Sequence, residues 1–349
     1  MTDRLLVLVL LAEAAVVLGV LLALVGRVAV TSRRRRRHAD ALRGARELLR
    51  LAVLGEAPPD RAVATLRLLP LDRGLAVLLE LATSVGGAGL ERLRQIAEAA
   101  GFCARARGWC RSRRWWRRLR GLRLLAQLGA DQAALPRFLD DPHPAVRAAA
   151  ADAVAPPVPP QVVARLLTML DDPDTLCRFS AKAALLRAGR GGATGVCDYL
   201  DADRVPQPVA ALAVAVTLAD PRFVRPALRH STAADPAVRR GATALLARTG
   251  GDPVTARLTQ LLGDPDAGVR AAAAEALGEL GHWPAAAVLA DALRDPAWDV
   301  RCAAAVTLRR LGPPGRLYLR RSTGSADPFA ADIARQVLAL PEGAMSVVR

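Results

Sequence analysis

Residues 264–281 read DPDAGVRAAAAEALGELG, and 31 residues further on, 295–312 read DPAWDVRCAAAVTLRRLG. Both stretches open on Asp-Pro, carry Val-Arg (Val269-Arg270, Val300-Arg301), repeat a leucine (Leu277, Leu308) and close on Leu-Gly (Leu280-Gly281, Leu311-Gly312). An Asp caps the free N–H groups of a helix start, and Pro sets the first helical φ without forfeiting a hydrogen bond. A Gly just past the last turn takes the left-handed conformation that ends a helix. Each stretch therefore predicts one helix running from Asp-Pro to Leu-Gly, with small residues such as Ala271 to Ala274 allowing close packing against a neighbour.

The same template recurs outward in both directions. It reads Asp141-Pro142…Val146-Arg147, Asp172-Pro173…Cys177-Arg178…Leu185-Leu186…Gly189 and Asp235-Pro236…Val238-Arg239…Leu246…Gly250. The template arginines stand at 147, 178, 239, 270 and 301; three intervals are 31 and one is 61, room for a further unit at Val205–Asp220 that lacks the Arg. Arg118 with Leu125, Leu128 and Gly129 reads as an earlier copy, and Ala326–Leu340 as a degraded last one. Between templates sits a shorter helix, such as Val254–Leu262. Two helices per unit of about 31 residues, stacked many times, is the signature of an α-solenoid.

At these residues the chain resembles HEAT repeats, in the short variety also found in phycobilin-lyase-like proteins. The resemblance covers about 111–340, with four good copies and three eroded ones. It implies that the turn Asp and the Arg six residues later form a polar ladder between successive units. That spacing holds in Asp141/Arg147, Asp172/Arg178, Asp264/Arg270 and Asp295/Arg301. Asp235/Arg239 departs, being four apart, and looser stacking is expected between about 190 and 235, where Gly191-Gly192 and several prolines fall. These Asp and Arg residues read as structural.

Composition agrees with an all-α reading. The 349 residues are 52% hydrophobic but only 3% aromatic, too few β-branched and aromatic side chains for a large sandwich or barrel. Five scattered Cys exclude a disulfide scaffold. The net charge of +16 is uneven: residues 1–130 hold 24 Arg against 10 acids, whereas the remainder holds 25 Arg or Lys against 23. Residues 38–110 form a helical preamble, with segments near Ala39–Leu54, Arg61–Leu69, Arg73–Ser84 and Leu90–Ala100 broken by Pro58-Pro59, Pro70 and Gly86-Gly87. Leu42, Ala45, Leu49 and Val53 recur at helical spacing as one buried face.

Residues 5–26, LLVLVLLAEAAVVLGVLLALVG, carry one charge, Glu13. As a helix they span about 33 Å, the length of a bilayer core, and the expectation is a single transmembrane helix. A small-residue stripe, Ala12, Ala15, Gly19, Ala23 and Gly26, offers a packing face within it. The polybasic segment 27–37, with Arg33 to Arg37, stops transfer and places the N-terminus outside and all that follows in the cytoplasm of an inner membrane. Residues 341–349 are a short tail.

Chemistry is sparse. His38, His143, His230 and His282 stand alone, and Cys103 and Cys110 are seven apart with arginines between them. Neither a phosphate-binding Gly-rich loop nor a nucleophile elbow is visible. No enzyme, cofactor, metal or small-molecule substrate is expected. The exception is Arg105 to Arg123, with nine arginines and Trp109, Trp115 and Trp116, inside a stretch free of acids between Glu98 and Asp131. Arg113, Arg114, Trp115, Trp116, Arg117 and Arg118 are candidates for contact with anionic lipid or an acidic partner; the alternative is nucleic acid, which a membrane anchor disfavours. The expectation is thus a transmembrane helix followed by a HEAT-like solenoid, a membrane-anchored cytoplasmic scaffold for protein–protein interaction that organises or regulates a membrane complex.

Overall fold

The computed structural model describes residues 42–202 and 205–341, together with Leu24 and Arg27. The apolar segment 5–26 and the polybasic run 27–37 otherwise lie outside the described residues, as do His38, residues 203–204 and most of the 341–349 tail. Among the described residues no helix is long and apolar enough to cross a membrane. The chain divides into two compact units, Met1–Leu135 and Pro136–Arg349.

In the first unit α1 (42–54), α2 (Pro59–Leu68), α3 (Leu71–Ser84), α4 (Gly87–Ala99), α5 (Phe102–Cys110) and α6 (Trp115–Gln127) follow one another. Ala45, Leu49, Ala52 and Val53 form the buried face of α1. Helices α5 and α6 approach closely: a side chain on Gly121 would come within 2.5 Å of the Ala106 carbonyl.

The second unit is a stack. Its helices are α7 (Pro144–Ala153), α8 (Pro160–Thr168), α9 (Thr175–Arg187), α10 (Arg190–Asp201), α11 (Pro208–Leu218), α12 (Val224–His230) and α13 (Pro236–Thr249). They continue as α14 (Asp252–Leu261), α15 (Ala267–Glu279), α16 (Ala286–Asp291), α17 (Trp298–Arg310), α18 (Pro313–Ser322) and α19 (Pro328–Ala339). The pairs α8/α9, α10/α11, α12/α13, α14/α15, α16/α17 and α18/α19 each pack as a hairpin. The odd-numbered helices α7 to α19 pack side by side in one row; α11 belongs to it, but its packing on α9 is the thinnest step of the row, in the region where looser stacking was expected.

Small residues make the row possible. Ala273, Ala274, Ala276 and Leu277 of α15 are buried, and Thr307 of α17 donates its hydroxyl proton to the Ala274 carbonyl at 2.9 Å. Fully burying each leucine of such a face is worth about 1.5–3 kcal/mol. As the Leu-Gly endings predict, Gly281 (φ +63) and Gly312 (φ +73) take the left-handed conformation after α15 and α17. Ala219 performs the same task after α11 at φ 49, a position where a Cβ is disfavoured.

The Asp-Pro signal needs a correction. Helices α7, α9, α15 and α17 begin three residues after their Asp-Pro aspartates, so Asp141, Asp172, Asp264 and Asp295 are not the capping residues. Asp174 caps α9 through the amides of Leu176 and Cys177, and Asp266 caps α15 through that of Val269. Asp235 does cap α13 directly, donating nothing and accepting from the Ala237 amide at 2.8 Å. Identical dipeptides thus serve two different registers.

Candidate functional site

The aspartates ahead of the caps are rungs of a ladder. Arg147 donates from Nε and Nη2 to both carboxylate oxygens of Asp172 at 2.7 and 2.9 Å. Arg239 grips Asp264 in the same way at 2.8 and 2.7 Å, and Arg270 grips Asp295 at 2.7 and 2.8 Å. Every rung joins an arginine to the aspartate 25 residues on, in the following unit. Within its own unit each arginine donates from Nη1 to the backbone carbonyls six and five residues back, as Arg270 does to Asp264 and Pro265. The aspartate's other duty is to accept the amide two residues ahead, as Asp264 does from Asp266. Bidentate, partly buried pairs of this kind add geometric specificity as well as energy.

Asp235 therefore does not belong to the ladder. Arg239 bonds the carbonyls of Ala233 and Ala234, so Ala233 occupies the position that Asp264 fills one unit later. The arginine keeps its place although the sequence spacing suggested otherwise. Arg178 bonds the carbonyls of Asp172 and Pro173 and the Thr175 hydroxyl; residue 203, 25 positions on, lies outside the described residues. Arg301 bonds the carbonyls of Asp295 and Pro296 and lies 5.0 Å from the centre of the Phe329 ring, a cation–π contact where the next unit offers Ala326 instead of an aspartate.

The guanidinium of Arg147 holds Asp172 below the ordinary carboxylate range. Burial pushes Asp264 and Asp295 upward, but their guanidinium partners and backbone amides together outweigh it and leave both lowered.

The hairpin of α5 and α6 is built differently. Arg107 is clamped by Glu98 and Asp131, each at 2.7 Å, and Arg120 pairs with Asp72 while lying 5.0 Å from the Trp109 ring. Arg118 donates to the carbonyls of Ser112 and Arg113, six and five residues back, the geometry of a ladder arginine. It is half-buried, as are Leu119 and Arg120, whereas Arg117 before it is exposed. Arg105, Arg111, Arg113, Arg114, Arg117 and Arg123 are exposed and have no carboxylate partner among the described residues. Trp115 and Trp116 are 41% and 44% exposed, and the Trp116 ring has Arg117 at 5.1 Å and Arg114 at 6.0 Å. The first turn of α6 contains no acid and its cap accepts no side-chain hydrogen bond.

Among the described residues the histidines and cysteines do not converge. The Nδ1 of His143 accepts from the Ala145 amide at the start of α7, and Nε2 of His230 meets the Leu200 carbonyl at 2.9 Å. Burial pushes the Cys103 thiol up to about 12 and Cys177 to about 11, which keeps both protonated at neutral pH. Among the described residues no three His, Cys, Asp or Glu side chains gather as metal ligands.

One feature escaped the sequence reading. Leu176 and Phe179 on α9, Trp298 on α17 and Phe329 on α19 are large, apolar and exposed near the starts of helices in the odd-numbered row. The signal was in the repeat alignment: Trp298 stands where the preceding unit has Ala267, and Phe179 where other units have Ala148 and Ala271. The alignment marks these as large side chains at small-residue positions; the packing of the row is what leaves them outside.

Hairpins in a row, tied by an Arg–Asp ladder, define a helical-repeat protein. Residues 221–309 and 255–339 match HEAT repeats, so this stretch carries them as the resemblance implied. No curated protein matches the chain. Among solved structures, an engineered protein is 16% identical over 84% of this chain and 98% of its own, with a TM-score of 0.39. Human deoxyhypusine hydroxylase, solved with glycerol, is 18% identical over 86% of this chain and 96% of its own, with a TM-score of 0.30. Kap121p bound to Nup53p is 12% identical over 84% of this chain and 41% of its own, with a TM-score of 0.49.

Proposed function

We propose that the chain is a HEAT-repeat scaffold that binds protein partners along its row of odd-numbered helices and is held at a membrane by residues 5–26. The observation that carries the reading is the division of labour in the second unit. Its ladder groups are consumed in holding units together, while Phe179, Trp298 and Phe329 are left exposed on the same row. Exposed aromatics on a rigid repeat surface are the anchors that protein interfaces use. The anchoring part rests on the 22-residue apolar segment and the five arginines that follow it.

Two measurements test the two parts. A photo-cross-linking residue at 179, 298 or 329 is expected to give discrete protein adducts in cells, and one at exposed Arg225, on the other row, is not. Equal adducts from both rows would remove the aromatic row as the interface. The full chain is expected to stay in the membrane fraction through high-salt and carbonate washes; release by either wash would remove the anchor.

A further inference from the structure

The α5–α6 hairpin is not absorbed by that reading. Among the described residues it concentrates exposed indoles together with six exposed arginines that have no carboxylate partner, Arg105, Arg111, Arg113, Arg114, Arg117 and Arg123. Several exposed arginines elsewhere are offset, Arg46 by Glu80, Arg50 by Glu47, Arg94 by Glu91 and Arg222 by Asp220. Arg61, Arg137, Arg190, Arg320 and Arg321 are exposed without a carboxylate among the described residues but lie scattered or in one pair, not in a cluster of six. Along α6, Trp116 and Arg123 are seven apart and share one exposed face, with Arg120 between them at the fourth position. The turn before them adds Arg111, Arg113 and Arg114.

We propose that the 111–114 turn and the exposed face of α6 are a contact surface for anionic lipid headgroups at a bilayer. The proposal deepens the anchored-scaffold reading and takes the nearness of a bilayer from it. Arginine offers several N–H donors to a phosphate, and indole prefers the depth of the headgroups. A nucleic acid would need a free ring face for base stacking, but the Trp116 ring already has guanidinium groups at 5.1 and 6.0 Å, which a base would have to displace. Lipid phosphates need no such displacement: they can bond the guanidinium edges while the indole stays where it is.

Only five tryptophans occur, so W283F/W298F leaves Trp109, Trp115 and Trp116, all in the hairpin, as the sole indole reporters. The full chain with these two changes is placed in nanodiscs of phosphatidylcholine, with or without phosphatidylglycerol, each containing a lipid spin-labelled near the headgroup. Indole quenching is expected to be about two-fold greater in the anionic discs at roughly 50 mM salt and to fall to the neutral level by about 500 mM. R113E/R114E/R117E is expected to abolish the difference with far-UV circular dichroism unchanged, and the corresponding Gln variants to reduce it. Equal quenching in the two discs, or a difference that survives charge reversal, would overturn the proposal. So would tight binding of a fluorescent single-stranded oligonucleotide that the reversal removes, which would assign the patch to nucleic acid. Retention on neutral discs scores the anchor separately: a chain lost from neutral discs but held on anionic ones refutes the anchor and keeps the hairpin contact.

Discussion

Arg270 in the stack and Arg117 in the hairpin are the same side chain at similar places, early in a helix that follows a turn. Arg270 closes on Asp295 with two bonds and is only 14% exposed, whereas Arg117 lies against the Trp116 ring and has no carboxylate. In the stack the turn ahead of the next odd-numbered helix delivers an aspartate 25 residues later at the right height. In the first unit Glu98 and Asp131 are both taken by Arg107, and the exposed arginines of α6 are left to the solvent. Charge count therefore says little about the use of a cation; the delivery of a partner decides it.

If the hairpin is held by close backbone approach and not by its arginines, Gly121→Ala should do the greatest damage. A Cβ there would meet the Ala106 carbonyl at 2.5 Å, and about 3 kcal/mol of the first unit's stability should be lost, measured by chemical denaturation. A wild-type midpoint would show that α5 and α6 are farther apart than described.

Next in size is the ladder itself. Arg270→Ala removes both bonds to Asp295 and should cost the second unit about 2–3 kcal/mol, against about 0.5 or less for exposed Arg240→Ala and Arg117→Ala. Equal melting shifts for Arg270→Ala and Arg240→Ala would refute the rung.

Acid should separate the two regions as well. Asp172, Asp264 and Asp295 are lowered from an ordinary 3.8, so their stabilisation is complete above that value and is lost as the pH falls through the lower folded-state value. Melting temperatures between about pH 5 and 2 should drop more steeply for wild type than for Asp295→Asn, which has one fewer titrating rung. Parallel slopes would show that the rung carries no pH-dependent stability.

The smallest expected effect has the opposite sign. Gly108 in α5 has nothing within 4 Å of a Cβ and no left-handed φ, so Gly108→Ala should stabilise by about 0.5 kcal/mol. Loss of stability there would mean that the outer side of α5 is covered.

Much of this protein is legible in its residues alone. The period of 31, the Leu-Gly endings and the α1 face at Ala45, Leu49 and Val53 follow from local chemistry: a Gly past a helix end and an apolar repeat mean the same thing wherever they occur. Arg147 and Arg270 could be named as ladder residues because repetition makes one unit the template for the next. Asp235 stands apart from Asp264 already in its spacing, four residues from its arginine instead of six, but that this difference separates a capping from a bridging aspartate shows only once the neighbouring helix is in place. Trp298 and Phe179 could not be ranked as exposed, nor Arg118 as turned inward, until the row of helices fixed which side each residue faces. Local backbone preference decides where helices begin and end; the meeting of groups 25 residues apart depends on how those helices stack, and that is a property of the tertiary structure.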